Sequence, residues 1–350
     1  MGALQSRLAR LALLALLALL AAAPAAHAEL RIRKDVKDMT VLEKRDFVAA
    51  VLKLKHTPSP FGKHGISLYD ALVYYHRRAF GSEANGAHQG PAFLPWHREF
   101  LLAFENAMRN VTHKAITIPY WDWTDPASTR AAFGIDMMGG DGVPEDGYAV
   151  DDGAFRKGQW SLTVLDVAGA QNPLEPDIDV RPGHHWIQRA MGTLPIARTL
   201  PSRQDMNDIL GVPRYDAPPY SIESNPMRSF RCAIEGWRGL HGAPRGGHNL
   251  VHLWVAGRVR VGHTDQLGTI GNATSPNDPI FWLVHANVDR MWTLWEKQNG
   301  QLYEPLSGAP YGHNLRDRLS QFRDLGFTLR PIDMLNPMRG GVVYQPPIGR

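Results

Sequence analysis

His248 and His252 stand four residues apart in Gly-Gly-His248-Asn-Leu-Val-His252-Leu-Trp. On a helix that spacing sets both imidazoles on one face, one turn apart, where they can bind a single metal ion. His285 shares a helical stripe with Phe281, Val288, Trp292 and Trp295, and His97 shares one with Phe100, Leu101, Phe104 and Met108. His76 closes another helical stretch, and His88 lies in the glycine-bearing loop that follows it. A lone histidine on an apolar face is usually a satisfied core residue. Four separate core-facing placements plus the spaced pair are harder to satisfy, because every buried imidazole brings polar nitrogens that need partners. Two helix pairs that each direct three imidazoles inward make a metal centre inside a helix bundle a natural arrangement.

All-imidazole ligation, without thiolate or carboxylate, suits copper or zinc, whereas di-iron sites prefer Glu-x-x-His patterns. One zinc held by three histidines and a water would be a hydrolytic site. Two triplets suggest two ions, close enough to bridge one small ligand. Residue chemistry places copper ahead and leaves zinc open.

The elements that must carry these side chains can be read from periodicity and caps. Residues 41–55 have helical spacing. Ser67 with Asp70 forms a capping box for a helix running to about Ala79. Pro95 marks the first turn of a helix reaching about Asn110, and Asp278-Pro279 starts another reaching about Gln298. Residues 247–255 carry the paired histidines in a fourth. From Thr124 to about Met227, Gly, Pro and Asp are frequent and no long period appears, so irregular excursions with short strands are expected there. The expected fold class is mainly α: a four-helix bundle core holding two metal ions, with long irregular loops and a few short strands.

The chain has 350 residues, 44% hydrophobic and 21% charged, enough apolar material for a sizeable core. One cysteine, Cys232, excludes an intrachain disulfide framework and a Cys-rich zinc module. Arg7 and Arg10 precede the apolar run Leu11–Ala23, and Ala26-His27-Ala28 has the small-x-small form of a cleavage site. A secretory signal over residues 1–28 is expected, with residues 29–350 as one domain in a secreted or periplasmic protein. Cleavage removes two arginines and no acid, lowering the formal net charge from +4 to +2. That balance selects no nucleic acid, and no later stretch is apolar enough to span a membrane.

The wording of three segments carries a resemblance. His88-Gln-Gly-Pro-Ala-Phe-Leu-Pro-Trp-His97-Arg-Glu-Phe-Leu resembles the first copper signature of tyrosinases. Asn277-Asp-Pro-Ile-Phe-Trp-Leu-Val-His285-Ala-Asn-Val-Asp289-Arg-Met-Trp292 resembles the second, and His248-Asn-Leu-Val-His252-Leu-Trp-Val matches the remaining pair. The resemblance spans roughly residues 70–300. It implies two copper ions in a type-3 centre, one held by His76, His88 and His97, the other by His248, His252 and His285. It further implies dioxygen and a phenolic or catecholic small molecule as substrates, with a copper-loading chaperone as a candidate partner. The chain departs from many members at two points. Gly86 stands where they carry a cysteine crosslinked to the loop histidine, and Val284 precedes His285 where they have His-His.

The family contains enzymes that hydroxylate phenols and enzymes that only oxidise catechols or o-aminophenols. Hydroxylation benefits from a base, since a free phenol has a pKa near 10. In the family, a glutamate and an asparagine that orient a water have been proposed for that task. Glu235, in Phe230-Arg-Cys-Ala-Ile-Glu235-Gly-Trp237, and Asn249 match them. The longer Glu235–His248 spacing requires a loop insertion, and a surface carboxylate is the plain alternative for Glu235. Asp289, one turn after His285, is either a carboxylate that orients an imidazole or an arginine partner. Seven tryptophans (Trp96, Trp121, Trp123, Trp254, Trp282, Trp292 and Trp295) interleave with core positions and are expected inside. His184, His185 and His241 lack the matching helical context and are not taken as ligands. Competing classes are an oxygen carrier, a zinc hydrolase and a pigment-binding protein. The short stretch after His285 leaves little for a covering domain, which favours an enzyme over a carrier.

Overall fold

The computed structural model describes residues 30–60, 65–81, 86–166, 176–181, 183–237, 246–319, 329–336 and 338–345. The expected signal segment and His241 lie outside the described residues. Thr40 opens helix α1 (Val41–His56): its hydroxyl accepts the Glu43 amide while the Glu43 carboxylate accepts the Thr40 amide. Helix α2 (Leu68–Gly81) begins at the expected cap. The Asp70 amide donates to Ser67 Oγ at 3.1 Å, and Ser67 Oγ donates back to the Asp70 carboxylate at 2.6 Å. Helix α3 (Phe93–Thr112) starts two residues before Pro95, which therefore sits within the first turn, and it ends at His113 in the left-handed region (φ 56°).

The stretch expected to be irregular contains two short helices. Asp125 caps α4 (Pro126–Ala132) through the Ala127 amide, and a Ser202–Asp205 capping box opens α5 (Arg203–Leu210). Helix α6 (Phe230–Glu235) is closed by Gly236 at φ 82°, where a non-glycine residue would be strained. The histidine pair rides α7 (His248–Ala256), and α8 (Ile280–Asn299) carries His285. Asp278 lies one residue further from α8 than a cap would. Its carboxylate is bridged by both arms of the buried Arg189 guanidinium, at 2.8 and 2.7 Å, and still accepts the Ile280 amide at 3.3 Å.

The strands are short and pair two by two. β1 (Arg31–Arg33) lies parallel to β8 (Val342–Tyr344), joining the two ends of the described chain. Antiparallel pairs form between β2 (Gly142–Val143) and β3 (Ala149–Val150), and between β4 (Val164–Leu165) and β5 (Asp177–Ile178). A third such pair joins β6 (Arg258–Val261) and β7 (Thr264–Leu267), directly after α7. Helix α3 packs on α1 and α8, and α7 packs on α8. No helix among the described residues is long and apolar enough to cross a membrane.

Six of the seven tryptophans are buried, with Trp254 partly so. Trp282 stacks on Phe104 with centroids 3.7 Å apart and planes within 6°. Behind this aromatic layer runs a buried charge network. Arg33 donates to Glu105 at 3.1 Å and to Asp289 at 3.2 Å, and Arg98 donates to Asp289 at 2.6 Å and to Glu296 at 2.9 Å. The Tyr344 hydroxyl donates to the same Asp289 carboxylate. Asp289 is thus the partner of two arginines and a tyrosine, not an orienting group for an imidazole. Removing one member of a buried ion pair costs about 3–5 kcal/mol because the other charge is stranded. Asp289→Asn is therefore expected to lower the denaturant midpoint of the copper-free protein substantially. An unchanged midpoint would mean that water already compensates Arg33 and Arg98.

Candidate dicopper centre

Five of the six histidines reach the centre from helices. His76 lies on the third turn of α2, and His97 on the second turn of α3. His248 is the first residue of α7, His252 lies one turn on, and His285 sits in the second turn of α8. His88 is the exception, carried by the loop before α3. All six are buried. Among the described residues they form two groups, His76–His88–His97 and His248–His252–His285, each with one nitrogen per residue within 4.8 Å of the others. The groups adjoin: the His97 and His285 rings are stacked, 4.0 Å apart and within 10° of parallel.

Backbone carbonyls orient four of the rings. Nδ1 of His76 meets the Ala273 carbonyl at 2.8 Å, that of His97 the Phe93 carbonyl at 2.9 Å, and that of His252 the Ile270 carbonyl at 2.9 Å. His248 Nδ1 reaches the Glu235 carbonyl at 3.4 Å. A carbonyl only accepts, so Nδ1 carries the proton and Nε2 carries the lone pair. Ile270 and Ala273 belong to one short turn, which therefore serves both groups.

Three of these lone pairs have no partner within the protein, and the fourth meets only another imidazole. Nε2 of His76, His97 and His252 is buried without a hydrogen bond, and Nε2 of His248 faces Nε2 of His285 at 3.1 Å. Burial depresses the basicity of all six rings, His76 to about 3 and His252 to about 4, so they are neutral at physiological pH. Six neutral imidazoles with convergent, unsatisfied nitrogens are a poor apolar core and a good donor set for two borderline cations. The residues present fit two copper ions.

Two aromatic residues seal the centre. Phe93 packs on His97 at 4.8 Å and on His248 at 5.0 Å, touching both groups. Phe281 packs on His285 at 4.1 Å and on His76 at 5.0 Å, again spanning both. Phe93 is not separable by sequence from the other apolar residues of its helix. The carbonyls of Ile270 and Ala273 leave no side-chain signal at all.

Glu235 is fully buried at the end of α6, which excludes a surface role. Its main-chain carbonyl faces His248, and its side chain faces the loop of His88. Oε1 accepts the Gln89 amide at 2.5 Å and Trp237 Nε1 at 2.8 Å, while Oε2 accepts Arg231 Nη1 at 3.1 Å. Burial raises its pKa, opposed chiefly by the Arg231 charge. Asn249 is half-buried in the first turn of α7. His184 and His185 lie half-exposed beside Asp179, away from both groups.

Residues 66–298 match the common central domain of tyrosinase. The chain is 34% identical over 314 residues to the tyrosinase of Streptomyces glaucescens, covering 88% of this chain and 96% of that one. It is 32% identical over 297 residues to grixazone synthase of Streptomyces griseus, covering 80% and 89%. The fold resembles that of a polyphenol oxidase from Thermothelomyces thermophila, with a TM-score of 0.65 at 20% identity over 91% of this chain and 89% of that one. The expected helical fold, copper pair and enzyme class agree with these relatives. With its six imidazoles gathered in two groups, the chain belongs to the tyrosinase family of dicopper oxidases.

Proposed function

We propose that this protein hydroxylates monophenols ortho to the hydroxyl and oxidises the resulting o-diphenols to o-quinones. The first course consumes one dioxygen per phenol and yields one quinone and one water. The second consumes one dioxygen per two catechols and yields two quinones and two waters. Copper, held by His76, His88 and His97 and by His248, His252 and His285, supplies the dioxygen activation and the electron transfer.

The observation that carries the reading is the burial of Glu235 against both ligand groups. A carboxylate offers about four acceptor positions. Three are taken by Gln89, Trp237 and Arg231, which leaves one for a water, and in this reading the Asn249 amide is the second group that orients it. That water takes the phenol proton, and its own proton passes to the Glu235 carboxylate. Burial favours this transfer by raising the carboxylate's affinity for a proton, and Arg231 restrains it. Phe93 and Phe281 exclude bulk water from the imidazoles.

A second reading has an observation of its own. The three donors already on Glu235 hold its basicity below what burial alone would give and fill most of its acceptor positions, which favours oxidation of catechols or o-aminophenols alone. Export by the segment at 1–28 is part of the proposal, so activity belongs to the secreted or periplasmic fraction, in protein beginning at Glu29. Oxygen uptake by that fraction with a monophenol, a catechol and an o-aminophenol, side by side, separates the readings. Sustained uptake with the monophenol is expected. Uptake confined to the other two would replace hydroxylation with simple oxidation.

A further inference from the structure

His88 is held by neither of the devices that fix the other ligands. It is off the helices, and its Nδ1 has no hydrogen-bond partner. Gly86 excludes the covalent tether that a cysteine at that position provides elsewhere in the family. Apart from the packing of its ring on Phe80 at 4.8 Å, what positions it is the backbone on which it rides.

That backbone is gripped at each of the next four residues. The Gln89 amide donates to Glu235 Oε1 at 2.5 Å. Gln89 is itself left-handed, with φ 63°, a conformation that costs a non-glycine residue about 1 kcal/mol or more unless its surroundings impose it. Gly90 lies under the imidazole of His313: a Cβ there would stand 2.5 Å from Cε1 and 2.6 Å from Nδ1 of that ring. The Pro91 carbonyl accepts the Tyr215 hydroxyl at 2.6 Å, and the Ala92 amide donates to His313 Nδ1 at 3.4 Å. His313 is buried and is fixed in turn by Tyr303, whose hydroxyl donates to its carbonyl at 2.8 Å and whose ring packs on Tyr215 at 4.7 Å.

We infer that His313, with Tyr215 and Glu235, forms a non-covalent clamp on residues 89–92 that positions His88 for its copper. His313 is a positioning residue, acting only through the loop. The inference rests on the reading of His88 as a ligand, and the experiment separates the two. Gly90→Ala, His313→Ala and the double variant are loaded with copper, then challenged with a chelator while copper per chain is followed. The melting temperature of each copper-free protein is measured beside them.

Gly90→Ala drives a methyl into the imidazole and should speed loss of one of the two ions by about 10- to 100-fold, the range seen when outer supports of ligands are removed. The other ion should leave at the parent rate. His313→Ala should act in the same direction. Adding Gly90→Ala to it should cost nothing further, because the atom it meets is gone. Parent-like copper retention in Gly90→Ala, or additive losses in the double variant, would overturn the clamp. So would a fall in melting temperature with no change in either rate. If His313→Ala does not accumulate, His313→Asn keeps an acceptor facing the Ala92 amide and should retain copper better than Gly90→Ala. His88→Ala tests the underlying reading: it should hold one copper, and two would mean His88 is no ligand, whatever the clamp does.

Discussion

Replacing His97 by alanine should lower the copper content from two ions per chain to one and bring catechol oxidation below detection. The imidazole offers a buried Nε2 with no partner in the protein, while its Nδ1 is pinned to the Phe93 carbonyl. Loss of an outer support alone weakens metal binding by about 10- to 100-fold, and loss of the donor should exceed that. A catechol gives up two electrons, and each copper(II) accepts one, so a single remaining ion cannot complete the step. His252→Ala removes the corresponding donor from the other group, where Nε2 is equally unpartnered. The two variants should therefore fail alike, each with one ion retained. Alanine also leaves a small cavity, so a circular dichroism spectrum must show the helices intact. Full copper and full turnover in either variant would remove that histidine from the ligand set.

Glu235→Gln is the second change with a large expected effect, and its selectivity matters more than its size. Glutamine preserves the length and the acceptor facing Gln89 while deleting the negative charge. A general base typically contributes about 10²–10⁴-fold, so monophenol hydroxylation should fall by that order. Catechols offer two oxygens to copper and lose a proton there more readily, so their oxidation should fall much less. Copper content must be measured in parallel, because the Glu235 side chain also supports the His88 loop. Asn249→Ala probes the same water from the other side. Equal losses on both substrates, with two coppers retained, would make Glu235 a strut rather than a base.

The parts of the centre legible in the sequence are those that repeat at a helical interval. His248 and His252 announce themselves by spacing, and His97 and His285 by sharing a stripe with large apolar residues. The Ser67–Asp70 cap marks its helix because both partners are close in the chain. The short helices α4 and α5 are different. Their caps, Asp125-Pro126 and Ser202 with Asp205, stand in the sequence, but seven and eight residues make too few turns to establish a period against a Gly- and Pro-rich background. Main-chain supports leave no trace, because any residue at 270 or 273 supplies a carbonyl. Nor does local pattern reveal His313, which meets Gly90 only after the chain has passed through the whole helical core. Asp289 illustrates a third case: a carboxylate one turn from a ligand fits two roles, and only the positions of Arg33, Arg98 and Tyr344 decide between them.

The pairing of β1 with β8 sets an order of events. Arg31 lies opposite Val342 and Arg33 opposite Tyr344, so one of the first described segments is completed by one of the last. A contact spanning so much chain is among the slowest to form, since the intervening loop must be closed first. During synthesis from the N-terminus, the Arg33 guanidinium has no Tyr344 to meet until more than three hundred further residues have emerged. A chain cut before Val342 would contain all six histidines and still lack the strand that pairs with β1. In chain order, then, every imidazole precedes the strand that carries Tyr344 to the buried charges, so the residues for metal capture and those for closing the charge network are supplied by different parts of the chain.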